Sequence, residues 1–152
     1  MMTEKQRKIL KKLRPLLIFL GIFAFLAILW LVDLGVSKNY RVEVTALPEA
    51  TVAGETLEFT VRVTDRKGNP QAGHLLAGIT YGAGSFLAYR VETDAEGYAT
   101  FTYYTLRESK YNPAEDVEIK IMDESNSIFF EVNATVEFTI HVVGKDAAGG
   151  IA

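Results

Sequence analysis

The chain has 152 residues, room for one domain of ordinary size and an appendage. It is 49% hydrophobic and has no cysteine, which excludes disulfides, thiol chemistry and an acylated lipoprotein. The net charge of −3 conceals a segregation: residues 1–14 hold six basic residues against Glu4, a net +5, whereas residues 38–152 hold ten against seventeen acidic ones, a net −7.

Residues 15–32 form a run of eighteen without a charge, bounded by Arg14 and Asp33. As a helix such a run rises about 27 Å, close to the hydrocarbon thickness of a bilayer. The basic stub, residues 1–14, reads as the cytoplasmic side of a signal anchor at 15–36. Residues 37–145 then lie outside an inner or cell membrane crossed once. A cleaved signal peptide is the competing reading, with Gly35-Val36-Ser37 as the cleavage site. The length of the apolar run favours a helix that stays. Gly21, Ala24 and Ala27 recur at spacing three and offer a face on which a second helix could approach closely. Trp30 suits the outer interface.

Beyond the anchor the period changes to two. Tyr40, Val42 and Val44 alternate with Arg41, Glu43 and Thr45, and Leu57, Phe59, Val61 and Val63 alternate with Glu58, Thr60, Arg62 and Thr64. Each pattern predicts a half-buried strand. Asp65-Arg66-Lys67-Gly68-Asn69-Pro70 is turn chemistry, and Thr93-Asp94-Ala95-Glu96-Gly97 repeats its Asp-x-x-Gly element. Between them, residues 75–81 and 86–91 read as short strands broken at Gly82-Ala83-Gly84. Ala99, Phe101 and Tyr103 mark the next strand, and Val117, Ile119 and Ile121 the inward side of another. Residues 128–143 read as one long final strand through Phe130, Val132, Ala134, Val136, Phe138, Ile140 and Val142; residues 146–152 read as a flexible tail. About seven strands with turns at short intervals predict an all-β, antiparallel β-sandwich preceded by one transmembrane helix.

The segment Val61-Arg62-Val63-Thr64-Asp65-Arg66-Lys67-Gly68-Asn69-Pro70, followed by Thr93-Asp94-Ala95-Glu96-Gly97-Tyr98-Ala99, resembles bacterial immunoglobulin-like (Ig-like) domains of the invasin/intimin type. The resemblance spans roughly residues 40–143. It implies an Ig-like extracytoplasmic module that binds or builds, and it transfers no catalytic residue. Here a single copy follows a single helix on a linker of seven residues, 33–39, a short reach for an adhesin.

Chemistry-bearing residues are sparse. His74 and His141 stand in no ligand-spaced cluster, so no metal is expected. Asp65, Asp94, Asp123 and Glu124 could gather calcium at one end of a sandwich, but turn capping accounts for Asp65 and Asp94 without it. No nucleophile–base set is present, so the expectation is no enzyme, no cofactor and no small-molecule substrate. Without a basic stripe on residues 38–152, nucleic acid is not expected as a partner. Tyr98 and Tyr104 should face outward and are the candidate partner surface; cross-strand aromatic packing is the alternative for them.

The reading is a non-catalytic accessory or structural subunit. Its helix lies in the bilayer among other membrane-protein subunits, and its Ig-like domain docks on a partner outside. A stand-alone cell-surface binding or adhesion module is the alternative, as is a secreted structural protein released near Ser37.

Overall fold

The computed structural model describes residues 4–125 and 133–145. Helix α1 (Glu4–Ser37) runs through Pro15, and its segment Leu13–Val36, with a mean hydropathy of 2.8, is long and apolar enough to cross a membrane. Its large side chains stand free: Phe19, Phe23 and Phe25 are 60–68% exposed. The helix ends in a tight turn, Lys38 N–H bonding Leu34 O and Asn39 N–H bonding Val36 O, and the first strand begins at the next residue.

The strands are β1 (Tyr40–Ala46), β2 (Thr51–Val52), β3 (Thr56–Asp65), β4 (Leu75–Thr80), β5 (Gly84–Phe86), β6 (Arg90–Glu92), β7 (Tyr98–Thr105), β8 (Val117–Asp123), β9 (Thr135–Ile140) and β10 (Val142–Val143). Eight of them form two four-stranded antiparallel sheets, β1-β3-β7-β5 and β6-β4-β8-β9, packed face to face as an Ig-like sandwich. The remaining two, β2 and β10, pair with each other in parallel.

Two expected strands are divided. Residues 86–91 do not form one strand: the chain leaves the first sheet after Phe86 and joins the second at Arg90. The final strand breaks at His141, whose carbonyl accepts Thr51 N–H, so the chain exchanges β8 for β2 as its neighbour. Its expected start, with Phe130 and Val132, and the expected tail at 146–152 lie outside the described residues.

The alternation that predicts the strands also fills the core. Phe59, Val61, Val63, Leu76, Phe101, Tyr103, Ile119 and Ile121 are at most 1% exposed. Each such apolar side chain contributes about 1.5–3 kcal/mol on burial. Phe59 stacks on Phe101 with ring centres 5.5 Å apart and meets Phe138 edge-on at 5.0 Å, joining the two sheets. Gly78 sits in the middle of β4 because the Phe86 ring lies against it; a Cβ there would come within 2.7 Å of Phe86 Cζ.

The two Asp-x-x-Gly turns share one scheme. Asp65 Oδ1 accepts N–H bonds from Lys67 and Asn69 at 2.8 and 2.9 Å, and Asp94 Oδ1 accepts from Glu96 and Tyr98 at 3.0 and 2.8 Å. Both carboxylates cap turns, as the sequence pattern predicts. Gly97 supplies the positive φ of 80° and the room: a Cβ there would lie 2.6 Å from Val63 O.

Candidate interaction surface

The two outer faces of the sandwich differ in kind. On β3 and β7 the outward residues are Thr56, Glu58, Thr60, Arg62 and Thr64 beside Tyr98, Thr100, Thr102 and Tyr104. This face is polar, laced by Thr60 Oγ1 to Thr100 Oγ1 at 3.2 Å and by Arg62 over the Tyr98 ring at 4.9 Å. Tyr98 and Tyr104 do stand outward, but six residues apart on one strand, about 20 Å by strand rise. Tyr98 is half-buried beneath Arg62, and Tyr104 is 43% exposed. The structure does not bring them together.

The opposite face carries an apolar centre. Cross-strand register sets Ala77 opposite Met122 and Ile79 opposite Lys120, and these residues floor a shallow open groove of about 470 Å³ between Tyr81 and Tyr89. Both tyrosines are highly exposed, 60% and 59%. The groove is framed by charge. Arg90 Nε meets Glu124 at 2.8 Å and its guanidinium covers the Tyr89 ring at 5.1 Å, while Lys120 Nζ meets Glu137 at 2.8 Å. Each carboxylate raises its partner's pKa through the hydrogen bond, so both cations stay charged. An apolar centre within a charged border is the general arrangement of protein interfaces.

Several polar groups inside the sandwich bond one another. His74 Nδ1 and Asp123 Oδ2 lie 2.6 Å apart, 8% and 4% exposed, with Tyr40 edge-on to the imidazole at 4.8 Å. Ser125 Oγ accepts Leu75 N–H and Ser125 N–H bonds Asp123 Oδ1, tying β4 to the end of β8. Through Asp123, the histidine and the serine thus brace the start of β4 against the end of β8. The Tyr103 hydroxyl donates to Ala83 O at 3.3 Å and shares a 2.9 Å bond with Thr80 Oγ1. Burial pushes its pKa up, and the Thr80 bond partly offsets this.

His141 is exposed, as alternation predicts. It meets Asp116 Oδ2 through Nδ1 at 2.8 Å, while Asp116 Oδ1 accepts Val142 N–H and holds β10 in place. These two bonds keep the Asp116 carboxyl below the usual carboxylate range. Among the described residues no three His, Cys, Asp or Glu side chains converge as a metal cage. On α1, Gly21, Ala24 and Ala27 are exposed, and nothing lies within 4 Å of the position a Gly21 Cβ would take.

The groove was not foreseen, because its parts come from β4, β8 and the segment between β5 and β6. The His74–Asp123 brace left a signal that could have found it. His74 shares the parity of Leu76, and Asp123 that of Val117, Ile119 and Ile121, so alternation points both residues inward.

The architecture defines the class: an Ig-like β-sandwich behind one long apolar helix. No protein-family model and no curated protein matches the sequence. Solved structures similar to it include the D00-D0 domain of intimin, at 14% identity and a TM-score of 0.49, covering 67% of this chain and 45% of that one. A conjugative transposon lipoprotein from Bacteroides eggerthii aligns at 18% identity and a TM-score of 0.48, covering 67% and 96%. Domains 4 and 5 of the S-layer protein SbsC align at 15% identity and a TM-score of 0.46, covering 67% and 50%. The chain therefore spans less than half of the intimin fragment and nearly all of the lipoprotein's length in common structure. Intimin's Ig-like domains are among its structural neighbours, at low sequence identity.

Proposed function

We propose that this protein is a non-catalytic, membrane-anchored accessory subunit whose Ig-like domain docks through the Tyr81–Tyr89 groove on another subunit of a membrane assembly. The observation that carries this reading is the groove itself, an apolar floor flanked by two exposed tyrosines on the outer face of the second sheet. The basic stub, with its +5 charge, orients the anchor with the N-terminus in the cytoplasm and the sandwich outside. The exposed Gly21, Ala24 and Ala27 give the helix a face for close packing on a partner helix. Because only three residues separate Val36 from Tyr40, the groove stays within a domain's length of the bilayer, where a neighbouring subunit can reach it. The proposal assigns it no catalytic residue, cofactor, small-molecule substrate or nucleic acid.

A photo-crosslinking residue at position 89, in native membranes, should give one discrete adduct with another membrane protein. The same residue at Thr102, on the polar outer face, should give none. No adduct from 89, or equal labelling from both faces, would overturn the docking surface. A second reading, a stand-alone surface binding module, draws on the far end of the sandwich, where Tyr111 is 93% and Leu106 51% exposed. Adducts from position 111 alone would favour it.

A further inference from the structure

The base of the sandwich, where α1 delivers the chain, has a charge unlike the rest of the domain. Lys38 follows the helix directly, and Arg66 reaches back across it, Nε donating to Lys38 O at 2.8 Å. Lys67 is the next residue of the same turn, and Arg41 lies on β1 opposite Thr64, two residues short of Arg66. All four side chains are exposed. Four of the ten basic residues of a segment with a net charge of −7 thus crowd the helix exit. Of the acids near the cluster, Asp33 on α1 is buried, Glu43 lies opposite Arg62, and Asp65 is engaged by its own turn: it accepts from Lys67 N–H, Asn69 N–H and Asn69 Nδ2, the last at 2.8 Å. The acidic turn with Asp94 and Glu96 hangs from the next strand, beside Arg62, whose Nε donates to Glu96 O. The base therefore has a basic side and an acidic side.

Covalent geometry places this cluster independently of how the helix is inclined. Lys38 is two residues from the end of the apolar segment at Val36, at most about 7 Å of extended chain. With α1 in a bilayer, the depth of the four cations matches that of lipid phosphates. Arg66 keeps guanidinium donors beyond the one given to Lys38 O, and the fork suits a phosphate.

We infer that Lys38, Arg41, Arg66 and Lys67 form a collar that binds the headgroups of anionic lipids in the extracytoplasmic leaflet and tilts the sandwich onto its β1–β3 side. The inference rests on the anchored reading above. It adds a ligand, the lipid phosphate, and a fixed attitude that decides which way the groove faces. Each cation at an anionic surface is worth about a fivefold change in the seated population, and the attraction fades beyond a Debye length, which added salt shortens.

The full chain tests this in lipid nanodiscs. With no native cysteine, Gln71→Cys carries a single fluorophore at the base and Lys110→Cys one at the far end. Headgroup-attached quenchers should quench the label at 71 at least about twofold more in phosphatidylglycerol discs than in phosphatidylcholine discs. That difference should vanish in about 0.5 M salt and in the variant K38Q/R41Q/R66Q/K67Q, while the label at 110 stays unchanged throughout. Protease protection of residues 15–36 in the same discs reads insertion separately. Protected helix with quenching indifferent to lipid charge overturns the collar alone, whereas an unprotected helix overturns the anchor and the collar with it. The salt titration of the unsubstituted collar decides the matter even where the fourfold variant fails to fold.

Discussion

The sandwich and the helix are both rich in apolar side chains and treat them in opposite ways. In the sandwich, Phe59 and Phe101 are covered almost completely by side chains from two sheets, and the buried His74 and Asp123 partner each other. In α1, Phe19, Phe23 and Phe25 stay 60–68% exposed. One region buries its hydrocarbon as folded; the other leaves it exposed, as the proposed anchor requires. A helix satisfies its own backbone hydrogen bonds, so it tolerates a bilayer where an open strand would not.

The comparison is broken most directly by deleting the same side chain on each side of it. Phe101→Ala should cost the sandwich about 3–5 kcal/mol, seen as a fall in its denaturant midpoint. Phe23→Ala should leave that midpoint within about 0.5 kcal/mol. Equal losses would mean that helix and sandwich share a core.

Next in size is the brace at the base. His74→Ala leaves the buried Asp123 carboxylate with Ser125 N–H as its one partner among the described residues and should cost about 2–4 kcal/mol. A midpoint unchanged by that substitution would show that water reaches the site. The smallest effect is that of acid. Asp65 is held below its ordinary pKa first by the Asn69 side chain, and Asp116 first by His141. Both are carboxyls depressed in the folded state, so their contribution is present above the unfolded value near pH 4 and is lost as pH falls through the folded values. Thermal midpoints should therefore hold between pH 7 and 5 as far as these groups are concerned and decline below about pH 4. Asp65→Asn should flatten part of that decline.

Much of the fold was legible because one physical rule, alternation, governs both strand and core. Leu57 through Val63, Ala99 through Tyr103 and Val117 through Ile121 face inward at every second residue, as a half-buried strand requires. The rule failed where the backbone changes partner without changing pattern. Ile140 and Val142 continue the period, yet His141 between them hands the chain from β8 to β2. Likewise β5 and β6 are three residues each, too short for any period to announce the crossing between sheets. The groove was illegible for a related reason. It depends on the register that sets Ala77 opposite Met122, and register is a property of pairs of strands that neither strand carries alone. Tyr98 and Tyr104 were visible as outward residues, but only the paired sheet reveals that threonines and charges lie between them.

The most direct test is the state of the chain in its own membrane. Extracted in mild detergent and separated natively, the protein should retain residues 1–37 by intact mass and migrate in a particle larger than a monomer. The double substitution Tyr81→Ser and Tyr89→Ser should reduce that particle to a monomer while leaving the thermal midpoint of the sandwich unchanged. An intact lone monomer, or a chain whose first residue lies near Lys38, would contradict the account.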